Sequence, residues 1–188
     1  RVISYLNLGS CEDFRKYWNT APTGLLGCGK NTAAQLGDYS GYPNEKWMDV
    51  GNADYQKLII EHVAPRLEAQ GVDGFFLDNL EILERRNMCD SACFDGGLEL
   101  VRKLRERFPP LVIIMQNATD DSLRTGTSGG RRYTEFLDGI SHEEVYIPSS
   151  HAVIEQELLK WKAETGRDVR RSANQRIFVF DGCALAIV

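Results

Sequence analysis

The sequence predicts a parallel α/β fold of the (β/α)8 TIM-barrel type, incomplete at its terminal units. Three observations predict it. First, Asp73-Gly74-Phe75-Phe76-Leu77-Asp78 and Asp138-Gly139-Ile140-Ser141-His142-Glu143 are built on one plan: an Asp-Gly pair opens a β-type run and a carboxylate stands five positions after the Asp. Second, strand-like and helix-like segments alternate along the chain, which calls for a parallel sheet. Third, Leu111–Gln116 is a nearly continuous apolar run, as a strand covered on both faces requires. A full barrel takes about 250 residues. The 188 residues present therefore read as one barrel-type domain, 1–188, lacking units at one or both ends, or as a smaller or open sheet.

Each element has a local reason. Val2–Leu8 is an apolar run closed by Gly9, a buried-strand pattern. Glu12–Trp18 suits one or two helical turns. Residues 19–45 hold many Gly, Pro, Asn and Thr without a period and read as one long loop, of a length that tends to be functional. Trp47–Val50 suits a short strand. From Ala53 to Gln70, Leu58, Ile59, Val63 and Leu67 keep helical spacing, with Gly71 at the stop. Val72–Leu77 is the next strand, and residues 84–94 a polar, Cys-bearing loop. Leu98, Val101, Leu104 and Phe108 mark a helix halted by Pro109-Pro110. After the Leu111–Gln116 strand, Asp120 and Asp121 cap a short helix. Thr125–Arg132 is a Gly-rich loop, and Tyr133–Leu137 leads into the strand from Gly139. Ile154–Trp161 is a helix with Trp161 on its core side, and Ile177–Phe180 is the last strand. About five core strands result.

With 43% hydrophobic and 26% charged residues the balance is that of a globular domain. No apolar run approaches the ~18 residues of a membrane span, so no membrane partner is expected. Nothing has the build of a signal peptide. A strand begins almost directly after Arg1, so the N-terminus reads as processed or trimmed. The net charge of −5 fits nucleic acid poorly and suits a cationic or neutral substrate. The five cysteines, Cys11, Cys28, Cys89, Cys93 and Cys183, leave at least one thiol. Two loop disulfides would fit a secreted protein; five free thiols fit the sequence nearly as well. No other Cys or His falls at a zinc-site spacing, so no metal is expected.

The paired carboxylates carry the chemistry. Active sites of parallel α/β folds gather at the carboxyl ends of the strands. Side chains alternate along a strand, so equal offsets aim Asp78 and Glu143 the same way. Glycoside hydrolysis needs such a pair: one protonated carboxyl delivers a proton to the leaving oxygen, and one ionised carboxylate attacks the anomeric carbon or activates water. Separations of about 5–5.5 Å give retention and about 6.5–9.5 Å inversion. Glu143, flanked by His142 and Tyr146, is the expected acid. The neighbouring Glu144 points the opposite way. The plain alternative is that each acid caps the helix that follows.

Four motifs, in order, resemble the polygalactosaminidase-like (β/α)8 glycoside hydrolases of family 114. They are Ser4-Tyr5-Leu6-Asn7-Leu8-Gly9-Ser10 with Glu12 and Phe14-Arg15; Tyr42-Pro43-Asn44-Glu45-Lys46-Trp47 with Asp49-Val50; Gly71 to Asn79; and Asp138-Gly139-Ile140 leading to Glu143 and Val145-Tyr146. The chain departs from the pattern where Ser141-His142 stands for Asn-Gln and Tyr42 for Trp. The family's strand before Ser4 is missing, and so is a closing unit after Asp181-Gly182-Cys183. The resemblance implies a secreted, endo-acting hydrolase of α-1,4-linked galactosamine polymers that uses Asp78 and Glu143 and no cofactor.

The expected substrate-binding residues are Tyr5, Asn7, Glu12, Arg15, Trp47, Asn79, Asn117 and Tyr146. Glu12 and Arg15 suit an ion pair with some sugar contact. Asn79 and Asn117, at strand ends, suit sugar hydroxyls or turns. Trp18, Tyr39, Tyr42 and Trp47 suit either sugar stacking or packing of the long loop. Glu12, Glu81, Asp120, Asp121 and Glu144 are expected to ring the mouth and favour an amine-bearing polysaccharide. The rival reading is a non-catalytic extracellular barrel, carbohydrate-binding or structural in the manner of a spore coat. The oligomeric state is open.

Overall fold

The computed structural model describes residues 2–142, helical residues 156, 157, 159–161 and 163, and the backbone of residues 176–179. β1 (Ile3–Asn7) is followed almost at once by β2 (Ser10–Glu12). Glu12 thus closes a strand, and the helical turn expected from it starts later, as α1 (Lys16–Asn19). The long loop is also corrected: it contains β3 (Gln35–Asp38), and β4 (Glu45–Met48) starts before the strand expected at Trp47. Together β2, β4 and β3 form a small antiparallel sheet in that order. Strands of three or four residues are too short to show a period. A register shift at Gly37, which has φ +141°, further blurs the pattern.

The next helix runs as expected, through α2 (Ala53–Leu58), a wide turn at Ile59–Val63 and α3 (Ala64–Glu68), with Gly71 at φ +81° after it. Asn52 caps its start by accepting the Tyr55 N–H. β5 (Gly74–Asp78) leads through a 3-10 turn at Leu80–Glu84 to α4 (Ser91–Arg107). α4 begins earlier than its apolar spacing implies, because Asp90 accepts the Cys93 N–H as an N-cap. β6 (Val112–Gln116) precedes α5 (Asp121–Thr125), which Asp120 caps as expected. The Gly-rich loop holds a two-residue ladder, β7 (Thr127–Ser128) and β8 (Arg131–Arg132), turned by Gly129 and Gly130. β9 (Gly139–His142) and β10 (Arg176–Val179) follow.

Among the described residues the main sheet is five parallel strands in the order β1-β5-β6-β9-β10. This is chain order, without the reversal that defines a doubly wound sheet. Right-handed crossovers in unreversed order put their helices on one face. Toward that face β5 turns Phe75 and Leu77, both fully buried, and Phe75 meets Phe108 at the end of α4 edge-on at 5.3 Å. The alternate residues, Phe76 and Asp78, point the other way. Trp161 is buried as expected, and its indole N–H donates to the Thr119 carbonyl at 2.7 Å, tying the helical segment that carries it to the loop after β6.

The repeated Asp-Gly plan has a structural cause. Asp73 accepts the Val2 N–H on its side chain and donates its own N–H to the Val2 carbonyl. Asp138 makes the same two bonds with Ile113. Each Asp thus clamps the start of the preceding neighbour strand. At Gly74 a Cβ would stand 2.4 Å from the Val112 carbonyl oxygen, so only Gly permits that approach. Arg105 adds a guanidinium bond to Asp138.

Gly9 sets the close approach of β1 to β5. A Cβ there would stand 1.6 Å from the Asn79 carbonyl oxygen. Gly9→Ala is therefore expected to destabilise the protein by about 2 kcal/mol or more, through forced backbone displacement. Urea unfolding checks this. A variant within about 0.5 kcal/mol of wild type would contradict the packing described.

Candidate active site

Polar residues form one row across the carboxyl end of the sheet. Asn7 pairs in register with Asp78, Leu77 with Met115, and Gln116 with Ser141. Cα partners in parallel strands share a face, so Asn7, Asp78, Gln116 and Ser141 project alike. The strands beneath the row are apolar. Sequence reading missed Gln116 and Ser141. The signal for them was a polar residue at the same height in successive apolar strands, visible only once the register is known.

Asp78 closes β5, and two donors orient its carboxylate. The Tyr5 hydroxyl donates to Oδ2 at 2.8 Å, and the Asn79 N–H donates to Oδ1 at 2.8 Å. Burial and the Asp78 charge hold the Tyr5 phenol well above its ordinary range, so it keeps its proton and stays a donor. Asn79 adopts a left-handed conformation, φ +63°, which Asn tolerates better than most residues. The turn sends its side chain back beneath β1. There Nδ2 donates to Asn7 Oδ1 at 3.0 Å, Ser10 Oγ at 2.7 Å and Glu45 Oε1 at 3.2 Å. Asn7 donates to the same Glu45 oxygen at 3.0 Å, and Ser10 Oγ donates to it as well. Ser10 and Glu45, also missed from sequence, thus join β1, β2, β4 and β5 behind Asp78. Asn117 repeats the left-handed exit after β6, at φ +55°, and its N–H donates to the Ser141 carbonyl.

The remaining expected residues fall into three groups. Glu12 is 6% exposed and accepts two guanidinium bonds from Arg15, at 3.1 and 2.7 Å, so the ion-pair reading describes them. Trp47 is enclosed, 2% exposed, with its ring stacked on Tyr39 at 4.1 Å and Arg85 lying 4.7 Å from its centre. It packs the small sheet and offers no open face. Glu143, Glu144 and Tyr146 lie outside the described residues.

The expected acidic ring is thinner than its residue list. Arg15 neutralises Glu12, Asp120 is a helix cap, and Asp121 engages Arg124 and Lys160. Glu81 differs. Its Oε2 is buried without a hydrogen-bond partner among the described residues. Burial chiefly, with repulsion from Asp78 and Glu84, pushes its pKa up to about 7. Two disulfides brace the region: Cys11–Cys28 ties β2 to the following loop, and Cys89–Cys93 pins the start of α4. Cys183 lies outside the described residues.

The model of glycoside-hydrolase family GH114 matches residues 1–129. An uncharacterized protein of Thermotoga maritima is 25% identical over 124 residues, covering 61% of this chain and 36% of that protein. Among solved structures, Aspergillus fumigatus Ega3 in complex with galactosamine superposes with a TM-score of 0.63 at 18% identity, over 96% of this chain and 60% of that one. The glycoside hydrolase domain of PelA from Pseudomonas aeruginosa does so with a TM-score of 0.61 at 13% identity, over 87% of this chain and 63% of that one. The chain thus spans less than two thirds of the length of each.

Glu81 generates a stability prediction. A carboxyl whose folded pKa is about 7 against an ordinary 4.5 binds more protons folded than unfolded between those values. Its contribution is fully present below the unfolded value and is lost as pH rises through the folded one. Wild type should therefore lose stability from about pH 4.5 to 7 more steeply than Glu81→Gln, which cannot ionise. Denaturant melts of both proteins at several pH values measure this. Parallel pH profiles would show that Glu81 does not hold its proton.

Proposed function

The chain belongs to glycoside-hydrolase family GH114, and from that premise we propose that it is an endo-acting hydrolase of α-1,4-linked galactosamine polymers, working outside the cell through Asp78 and Glu143. The observation that carries the reading is the placement of Asp78: last residue of β5, carboxylate oriented by Tyr5 and Asn79, in the polar row at the carboxyl end of a parallel sheet. The unreversed strand order supports a (β/α)8 barrel of which this sheet is an arc. Ega3, a structural neighbour, is described in complex with galactosamine, which supports an amine-bearing sugar here. The Asp78 carboxylate at the strand end favours the same substrate.

In this mechanism Glu143 gives its proton to the glycosidic oxygen as the bond to the anomeric carbon breaks. Asp78 attacks that carbon to form a glycosyl-enzyme, later hydrolysed by water that Glu143 deprotonates; or Asp78 takes a proton from an attacking water. The role of Glu143 rests on sequence position: it follows β9 directly and stands two residues after Ser141, the β9 member of the polar row. Tyr5, Asn117 and Tyr146 are the proposed sugar contacts, with Glu12 and Arg15 shaping the floor; Asn7 and Asn79, expected from sequence to bind sugar, are buried and spent on the cluster behind Asp78.

Asp78→Asn should lower kcat/KM on de-N-acetylated galactosamine oligomers about a thousandfold or more with an unchanged melting temperature. Glu143→Gln should lose as much on oligomers, but far less on an aryl galactosaminide whose leaving group needs no proton. Near-wild-type turnover by either variant on oligomers would remove that residue from the mechanism.

Substrate charge is tested separately. Exposed attraction weakens as the Debye length falls from ~10 Å at 0.1 M to ~3 Å at 1 M salt. kcat/KM on free-amine oligomers should fall across that range, and on N-acetylated oligomers stay flat. Equal rates and equal salt responses on both would contradict an amine preference.

A further inference from the structure

Two runs of aromatic contacts lead outward from Asp78 and Asn79. In the first, the Tyr5 hydroxyl bonds Asp78, and the Arg15 guanidinium lies 5.6 Å from the Tyr5 ring centre and 5.3 Å from that of Phe14. In the second, the Tyr39 hydroxyl donates to Asn79 Oδ1 at 3.2 Å, and its ring stacks on Trp47 and meets Tyr42 edge-on at 5.1 Å. Each run ends in an open ring: Phe14 is 69% exposed and Tyr42 61%.

The two ends share one rim. Glu12 and Glu45 are register partners, and the Asp13 N–H donates to the Asn44 carbonyl at 2.8 Å. That bond joins the turn carrying Phe14 to the turn carrying Tyr42. A single exposed Phe needs no explanation. Here two exposed rings stand on joined turns, one backed by partners that lead to the Asp78 carboxylate and the other by partners that lead to the Asn79 amide beside it. Arg15 brings no bare positive charge to the rim, because Glu12 accepts two of its N–H groups. A cationic sugar can therefore approach Phe14 without meeting an unpaired guanidinium.

We propose that Phe14 and Tyr42 form an outer sugar-binding subsite, their open faces stacking on hexosamine rings of a polymer away from the bond being cleaved. Pyranose rings offer C–H faces to which aromatic faces are complementary, and rigid rings bind at low entropic cost. The subsite rests on the hydrolase reading for the identity of the sugar. It adds that the site reads a run of residues along a chain, which internal cleavage requires.

The test is calorimetric binding of galactosamine oligomers of increasing length to the Asp78→Asn protein, alone and with rim substitutions. Phe14→Ala and Tyr42→Ala should each weaken binding of long oligomers about tenfold and leave the shortest bound oligomer little changed. Phe14→Leu and Tyr42→Leu keep apolar bulk and should lose as much. Phe14→Trp and Tyr42→Trp should retain affinity. In the catalytically intact protein the loss should appear in KM rather than kcat. A loss equal at every length, or none, overturns the subsite even if the protein cleaves the polymer. Length-dependent binding that needs Phe14 and Tyr42, without cleavage by wild type, keeps the subsite and removes the hydrolase reading. Failure to bind any oligomer overturns both.

Discussion

The site depends on the buried amide of Asn79. Its Nδ2 reaches three oxygens, on Asn7, Ser10 and Glu45, and thereby holds β1, β2, β4 and β5 in one arrangement. A buried polar group without partners costs on the order of 1–3 kcal/mol. The cluster is stable only when every member is satisfied together, which makes it specify one geometry. The left-handed turn at Asn79 and the bare Cα at Gly9 are the backbone conditions for it. One lets the amide turn back; the other lets β1 come close enough to meet it.

Asp78 inherits its position from that cluster. The residue before Asn79 has no freedom to wander once the turn is set. Two donors then select its carboxylate orientation, one from the turn itself and one from Tyr5. The small antiparallel sheet contributes Glu45 and Ser10 to the cluster and Tyr39 to its edge. It stands as a wall beside the candidate site, and exposed Phe14 and Tyr42 lie on the turns next to its strands. The Cys11–Cys28 disulfide, closing a loop between residues 17 apart, holds that wall through the stretch with least regular structure.

Much of this was legible in the chain. The Asp-Gly starts of β5 and β9, the apolar run of β6, the helix stops at Gly71 and Pro109, and the Asp120 cap all follow from local chemistry. Asp78 was visible because strand periodicity and the Asp-Gly turn fix its height and direction without tertiary information. Two short strands of the small sheet, β2 and β3, were not legible, because segments of three or four residues carry no period, and the start of β4 was placed two residues late. Trp47 carried a misleading signal: an aromatic beside a long loop looks open until the residues that pack on its ring, here Tyr39 and Arg85, are known.

The sequence by itself determined the succession of the main-sheet strands and the longer helices, the parallel class, the family and the candidate carboxylate at the end of β5. Those features are written in local patterns of apolar spacing, turn residues and motif. Only the tertiary structure decided which polar residues meet: that Gln116 and Ser141 share a row with Asp78, that Glu45 and Ser10 complete the Asn79 cluster, that Glu12 is spent on Arg15, and that Glu81 is left with a buried oxygen unpaired among the described residues. The physical reason is that burial and hydrogen bonding are set by sheet register and by contacts between residues tens of positions apart. No local pattern encodes those distances.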